Sequence, residues 1–555
     1  MAANLPGASQ DDNNEIDVFL HDRVSGDITL VSHASSGTST TGNGRSDDPI
    51  LSTDGSVVVF TSRATNLLPD PVGGGVQLFL YDRRNRRATL ISHAATSPSS
   101  GVLGGILGGG HHSVSGDGRW VAFASKADDL IAGQVEANAG GDVFLFDRAT
   151  GANTLVSHAG FSSTQTGNGP STAPAISGDG RYIAFESSAS DLAAGQTGAG
   201  SIFVYDRVAG ITTRVSASGG NPLAISADGR QVVFTGGSNV YLWDRVLATT
   251  RLVSRSLASP TTPGNGPSSL GTSDNPQVLS ADGRWVVFAS TATDLVPGQA
   301  GGHPGIFLFD RISGTVSQVS AWAGSLTTSQ PALSGDGRFV AYGSEAHDLV
   351  PGQVDSIGSP DFFRFDREAG TTSLISHVPA SAVTTGKALS DATLEGPRLS
   401  ADGAWSTFAS LSPDLVPGDR DGTKDAFLDA NLLPGRDFYT VSPCRLIDTR
   451  KGPALVSGGR SVLPAHDLCS IPATARAVAA NVTVIQPSGA GYLTFHAGDS
   501  GPETTSTLTF AAGQLRSNNA IIPLAFDGTG TFAVTPLVAG NGSVHLTVDV
   551  SGWFE

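Results

Sequence analysis

Methionine occurs once, at Met1, cysteine twice and lysine rarely in this chain of 555 residues. The acidic residues are almost all aspartate, so strong helix formers are few and little helix is expected. No apolar run approaches the length of a membrane-spanning helix, and residues 1–15 lack the apolar core of a signal peptide. The chain is therefore not expected to span a membrane, and a signal was either removed or never present. Positive charge is short too: the formal net charge is −17. Nucleic-acid binding rests on neutralising phosphates with Lys and Arg, so no nucleic-acid partner is expected. Neither a G-x-S-x-G elbow nor an H-E-x-x-H helix occurs. The Gly-Asn-Gly stretches (42–44, 167–169, 264–266) do not join a strand to a helix, so they read as turns with positive φ and not as phosphate cradles. What is abundant is glycine and proline, 70 and 30 residues, as an all-β protein with many turns requires.

The first 430 residues are a repeat array, best seen from Ser115 to His158. SGDGRWVAFAS, DVFLFDRATG and NTLVSH alternate with a period of two and are rich in Val, Phe, Leu and Thr. These are strands, and Asp117-Gly118 supplies the positive φ of a tight hairpin. The unit is four antiparallel strands, a to d from the inside outward. Asp-Gly turns recur at Asp54, Asp117, Asp179, Asp228, Asp282, Asp336 and Asp402, and strand c ends in Asp-Arg at Asp22, Asp82, Asp147, Asp206, Asp244, Asp310 and Asp366. The array opens with c and d (Asp17 to His33) and ends with an a–b pair (Pro397 to Ser410). A ring reconciles these ends: the N-terminal strands would complete the last blade, as in a propeller. DAFLDAN (Asp425 to Asn431) competes for the same slot. Seven blades are expected.

The pattern S-x-D-G-R-x-V-A-F-x-S, D-L-V-P-G, D-x-F-L-x-D-R and L-V-S resembles the TolB-like β-propeller repeats of bacterial secreted and envelope proteins. The resemblance implies a propeller over residues 1–432. It implies no activity, because propellers host binding proteins, lyases, hydrolases and scaffolds alike. After a short linker (433–437), residues 438–555 carry a different alternation that suggests a β-sandwich. Its FYTVSPCRLIDTR opening and VDVSGWFE ending resemble a C-terminal module of secreted bacterial proteins. Both cysteines, Cys444 and Cys469, fall in this segment. A disulfide and an extracytoplasmic, secreted or cell-surface location are favoured over two free buried thiols.

Turns a–b and c–d lie at one end of every blade; the longer, more varied b–c and d–a loops lie at the other. Function is expected on the second face, since binding residues favour loops held by a rigid scaffold. The last residues of the d–a loops would ring the channel mouth: Asp47, Asp48, His111, His112, Ser171, Thr172, Asn221, Asp274, Asn275, Ser329, Gln330 and Glu395. His111-His112 with neighbouring carboxylates would suit a divalent metal or an acid–base pair, against the reading of solvated loop histidines. Trp322, at the start of a d–a loop, is the aromatic placed for sugar stacking, with packing at the rim the favoured reading. Recurring His33, His93, His158 and His377 fall on four separate outer strands, which favours rim hydrogen bonding over one metal site. The recurring Asp-Arg and Asp-Gly-Arg charges read as turn caps and intrablade ion pairs.

Asp419, Asp421 and Asp425 in GDRDGTKDAF have a spacing that wraps oxygen ligands around calcium, with an Asx-rich turn as the alternative. Asp11, Asn13 and Asp17 form a weaker copy. A calcium ion there would be structural. Three functions follow in order of preference. The first is a secreted or surface-exposed non-catalytic binding protein with a glycan or protein ligand. The second is an extracellular polysaccharide lyase or hydrolase acting at the channel mouth, and the third a structural or assembly subunit.

Overall fold

A computed structural model describes every residue except 1–12, 74, 103–104, 108–111, 197, 199–201, 217–222, 272–276, 300–303, 321–329, 356–359, 389–395, 417–418, 420–422, 431–437, 467, 473–474, 476, 499–506, 526–528 and 555. The chain is all-β; among the described residues its only helical turns are two 3-10 segments, Thr449–Lys451 and Ala539–Asn541. It divides into two compact units, Met1–Ala430 and Asn431–Glu555.

The first unit is a succession of antiparallel sheets in chain order. Sheet 1 has two strands, Phe19–His21 and Ile28–Leu30; sheets 2 to 7 have four each; sheet 8 has three, ending in Asp425–Ala430. Sheet 3 shows why the repeat forms sheets. Trp120–Ser125 and Asp142–Asp147 pair over six residues, and apart from Trp120 their side chains are buried, alternate ones facing the sheets on either side. Phe123 stacks on Phe144 at 5.8 Å, a cross-strand pair repeated as Phe60/Phe79, Phe185/Phe203 and Phe288/Phe307. This succession is consistent with a β-propeller.

The Asp-Gly turns are built as their sequence implies. Ser115 Oγ donates to Asp117, whose carboxylate accepts the Arg119 N–H, and Arg119 forks onto Asp147 at 3.0 and 3.1 Å. The same intrasheet ion pair joins Arg181 to Asp206, Arg230 to Asp244, Arg284 to Asp310 and Arg338 to Asp366. Backbone hydrogen bonds then link successive turns: Asp54 N–H to Gly116 O, Gly116 to Gly178, Asp179 to Ala227, Ala227 to Ala281, Ala281 to Gly335 and Asp336 to Ala401.

Two segments compete for the closing slot, and the structure gives it to the C-terminal one. Asp425–Ala430 takes the slot beside Trp405–Ser410 with a six-residue register, so the N-terminal strands do not complete that sheet. They pair with each other over three residues instead. Sheet 1 packs Val18 and Val31 against Val58 and Phe60 of sheet 2, and Arg23 lies 4.9 Å over the Trp405 ring of sheet 8. Arg207 over Trp120, Arg245 over Tyr182 and Arg367 over Trp285 make the same contact, each from one sheet to the sheet before it. Sheet 1 thus bears on sheet 8 as a following sheet, not as its missing edge.

The second unit has two antiparallel sheets around one core. One carries Phe438–Asp448, Ser543–Phe554, Ala477–Ile485 and Arg516–Pro523 side by side; the other carries Ser461–Pro464, Thr531–Val538, Gly491–Ala497 and Leu508–Phe510. Val478, Val482, Val548 and Val550 of the first meet Leu493, Phe532 and Val534 of the second. Cys444 and Cys469 are joined as a disulfide.

Candidate functional site

The loop face of the first unit is held by a clasp that explains the Gly-Asn-Gly triplets. Asn168 Nδ2 donates to Ser190 Oγ, Asn168 Oδ1 accepts the Ser190 N–H, and the Asn168 N–H donates to Asp191. Asn43 grips Thr65 and Asn66, and Asn265 grips Thr293 and Asp294, in the same way. Each clasp ties a d–a loop to the b–c loop of the sheet it enters. The flanking glycines are not in the left-handed region, contrary to expectation. They are required by space: a Cβ on Gly169 would stand 2.8 Å from Ala189 N, and one on Gly167 2.5 Å from Leu192.

Of the residues expected at the channel mouth, several have polar side chains or carbonyls already engaged. Asp47 accepts from Thr61 Oγ1 and Arg45 Nε, both at 2.5 Å. Asp48 sits at φ 50 in a bulge, and its main-chain carbonyl lies 3.0 Å from Nε2 of buried His112 on the next sheet. A carbonyl only accepts, so Nε2 carries the proton. Asp48 and His112 are therefore brought together, but not as a carboxylate–imidazole pair. Buried Gln330 accepts the Gly396 N–H at 3.1 Å. Gln277, which sequence reasoning missed, clamps Leu399 from both sides, accepting its N–H at 3.0 Å and donating to its carbonyl at 2.7 Å. His111, Asn221, Asp274, Asn275, Trp322, Ser329 and Glu395 lie outside the described residues.

Glu186 is the exception. It pairs across the strands with Thr172, half-buried, on the strand face that Tyr182 and Ala184 turn toward sheet 5. Burial pushes its carboxyl up, and among the described residues no hydrogen bond or ion pair reaches it. The signal was present in the sequence: equivalent positions hold Thr61, Ala124, Thr235, Ala289, Gly343 and Ala409. One charged residue stands where the repeat puts small or hydroxyl side chains.

Two buried aspartates head the c strands of sheets 3 and 7. Burial lifts both Asp142 and Asp361 to about 7, although each accepts a hydroxyl, from Ser157 and Ser376, at 2.8 Å. Asp17 accepts from Ser32 in the same geometry, which ties this member of the weaker calcium motif to a structural partner. Asp421 lies outside the described residues, so the calcium loop is seen only at Asp419 and Asp425. Among the described residues no three His, Cys, Asp or Glu side chains converge as a metal site. In His33, His93, His158 and His377, Nδ1 donates to the carbonyl of the next residue, and the first three rings meet Tyr81, Phe146 and Tyr205 of the following sheet edge-on. These histidines are structural, as expected.

An exposed aromatic does stand on the loop face. Phe161, which opens a d–a loop, is 73% exposed, and the loop is pinned behind it by the Gly160 N–H bond to Asp191 O at 2.7 Å.

No protein-family model matches the chain, and no curated protein does. Solved structures similar to it include an oligogalacturonate lyase in complex with manganese, at 13% identity and a TM-score of 0.41, over 75% of this chain and 96% of that one. Dipeptidyl peptidase 4 of Porphyromonas gingivalis is similar at 14% and 0.42, over 72% and 54%. TolB of Acinetobacter baumannii is similar at 15% and 0.28, over 66% and 73%.

Proposed function

We propose that the chain is an extracytoplasmic, non-catalytic binding protein in which a TolB-like propeller presents its loop face to a glycan or protein ligand. In this reading seven a–b hairpins form the inner ring, the two-stranded sheet 1 fills the outer seam, and residues 438–555 are a β-sandwich. The Cys444–Cys469 disulfide supports an oxidising compartment. The observation that carries the reading is the clasped loop face: Asn43, Asn168 and Asn265 spend their side chains on rigidity and leave Phe161 presented to solvent. Pre-ordered loops around an exposed aromatic suit recognition, because little ordering entropy is lost on binding.

The test is retention of the full chain on immobilised polysaccharides and bacterial surface proteins, with Phe161→Ala as the variant. Weaker retention of the variant at unchanged melting temperature supports the reading; equal retention opposes it.

Glu186 favours a second reading, an enzyme acting on an extracellular polysaccharide. A half-buried carboxyl with a raised pKa has the character of a general acid. Release of new reducing ends or unsaturated products, abolished in Glu186→Gln, would establish it.

A further inference from the structure

The second unit carries a cleft that the propeller reading does not use. Four strands of its first sheet place one polar residue each in a single cross-strand row: Arg445 opposite Asp549, Asp549 opposite Asn481, and Asn481 opposite Asn519. The row lies on the sheet's outer face, because Ala480 and Val482, the neighbours of Asn481, point into the core. Arg445 forks onto Asp549 at 2.6 and 2.9 Å, Asn481 Nδ2 donates to Asn519 Oδ1 at 3.0 Å, and Thr483 Oγ1 donates to Asn481 Oδ1 at 3.2 Å. Beside the row the floor drops to Ala479 and Ser551, between Pro443 and the 66% exposed Ile521. The cavity so formed measures about 480 Å³, within the usual range for small-ligand sites.

We propose that this cleft binds an uncharged glycan. Arg445 and Asp549 neutralise one another, and the rest of the row is amide, so one side of a mostly apolar cleft offers amide donors and acceptors without net charge. That pattern suits the hydroxyls of a neutral sugar and gives an anionic chain no unpaired cation. Adjacent strands repeat the polar groups every 4.7–4.9 Å or so, close to the length of one pyranose unit in an extended chain. Successive sugars can each meet one of them. Pro443 and Ile521 supply apolar contact for the C–H face of the ring, and small Ala479 and Ser551 leave room for it. The mutual hydrogen bonds along the row fix the side chains before a ligand arrives, which limits the entropy lost on binding.

The experiment is calorimetric titration of the full chain with β-1,4-linked gluco-, xylo- and mannohexaose, and with hexagalacturonate as the anionic control. At least one neutral hexasaccharide should bind, and the anionic one more weakly. Asn481→Ala with Asn519→Ala should weaken binding about tenfold or more, and Ala479→Trp, which fills the cleft, should abolish it. Should Ala479→Trp fail to fold, Ile521→Ser serves as the second variant. Gly151→Ala, in a turn of the other unit where a Cβ meets open space, should leave this binding unchanged. Failure of every neutral hexasaccharide to bind, tighter binding of hexagalacturonate, or binding that survives the cleft variants would overturn the proposal. Loss in Phe161→Ala alone would move the glycan to the propeller face and do the same.

Discussion

Asn168 and Ser190 hold each other through two hydrogen bonds of 2.8 Å, amide to hydroxyl and main-chain N–H to amide oxygen. Both residues lie in loops, Asn168 exposed and Ser190 partly so, yet the pair welds the loop entering sheet 4 to the loop leaving its second strand. Asn168→Ala removes both bonds and should cost about 1–2 kcal/mol. Ser190→Ala keeps the main-chain bond and should cost less. Chemical denaturation measures the difference, and hydrogen exchange should show lost amide protection at Ser190 in Asn168→Ala alone.

Stability should rise on mild acidification. Asp142 and Asp361 ionise near 3.8 when unfolded and at about 7 in the fold, so between these values the native state binds more protons. Their contribution is complete below pH 3.8 and is lost as the pH rises through 7. The strand-end aspartates with lowered pKa, such as Asp147 and Asp206, work the other way but only in stronger acid. The melting temperature is therefore expected to be higher at pH 5 than at pH 8. Asp142→Asn keeps an acceptor for Ser157 without a charge, so it should stabilise the protein at pH 8 and flatten the pH profile. Melting curves at both pH values check it.

Two glycines with positive φ should differ in their tolerance of alanine. Gly151, at φ +71, has open space where a Cβ would go, so Gly151→Ala carries backbone strain of roughly 1 kcal/mol. Gly180, at φ +69, would place its Cβ 2.4 Å from Trp120 of the preceding sheet. Gly180→Ala should cost clearly more, by disturbing the contact between sheets as well. Urea midpoints of the two variants rank them.

Much of the first unit was legible because the repeat states its own turns. Asp117-Gly118 with Arg119 predicts the hairpin and an intrablade ion pair, and the structure supplies its partner, Asp147. The Gly-Asn-Gly triplets were misread because glycine serves two ends, conformation and close approach, and residue type does not say which applies. Closure was open because DVFLHD and DAFLDA are interchangeable as c strands; the difference is the six-residue register that Asp425–Ala430 makes with Trp405–Ser410. Glu186 was hidden in a repeat position read for its average, and Gln277 because its partner, Leu399, is 122 residues away.

The most direct test follows binding and turnover together on one polysaccharide panel, with the full chain at high concentration and long incubation. Retention is expected on at least one polymer or surface protein, weakened by Phe161→Ala, with no new chain ends released. Chain cleavage that disappears in Glu186→Gln would contradict the non-catalytic reading and make the propeller face an active site.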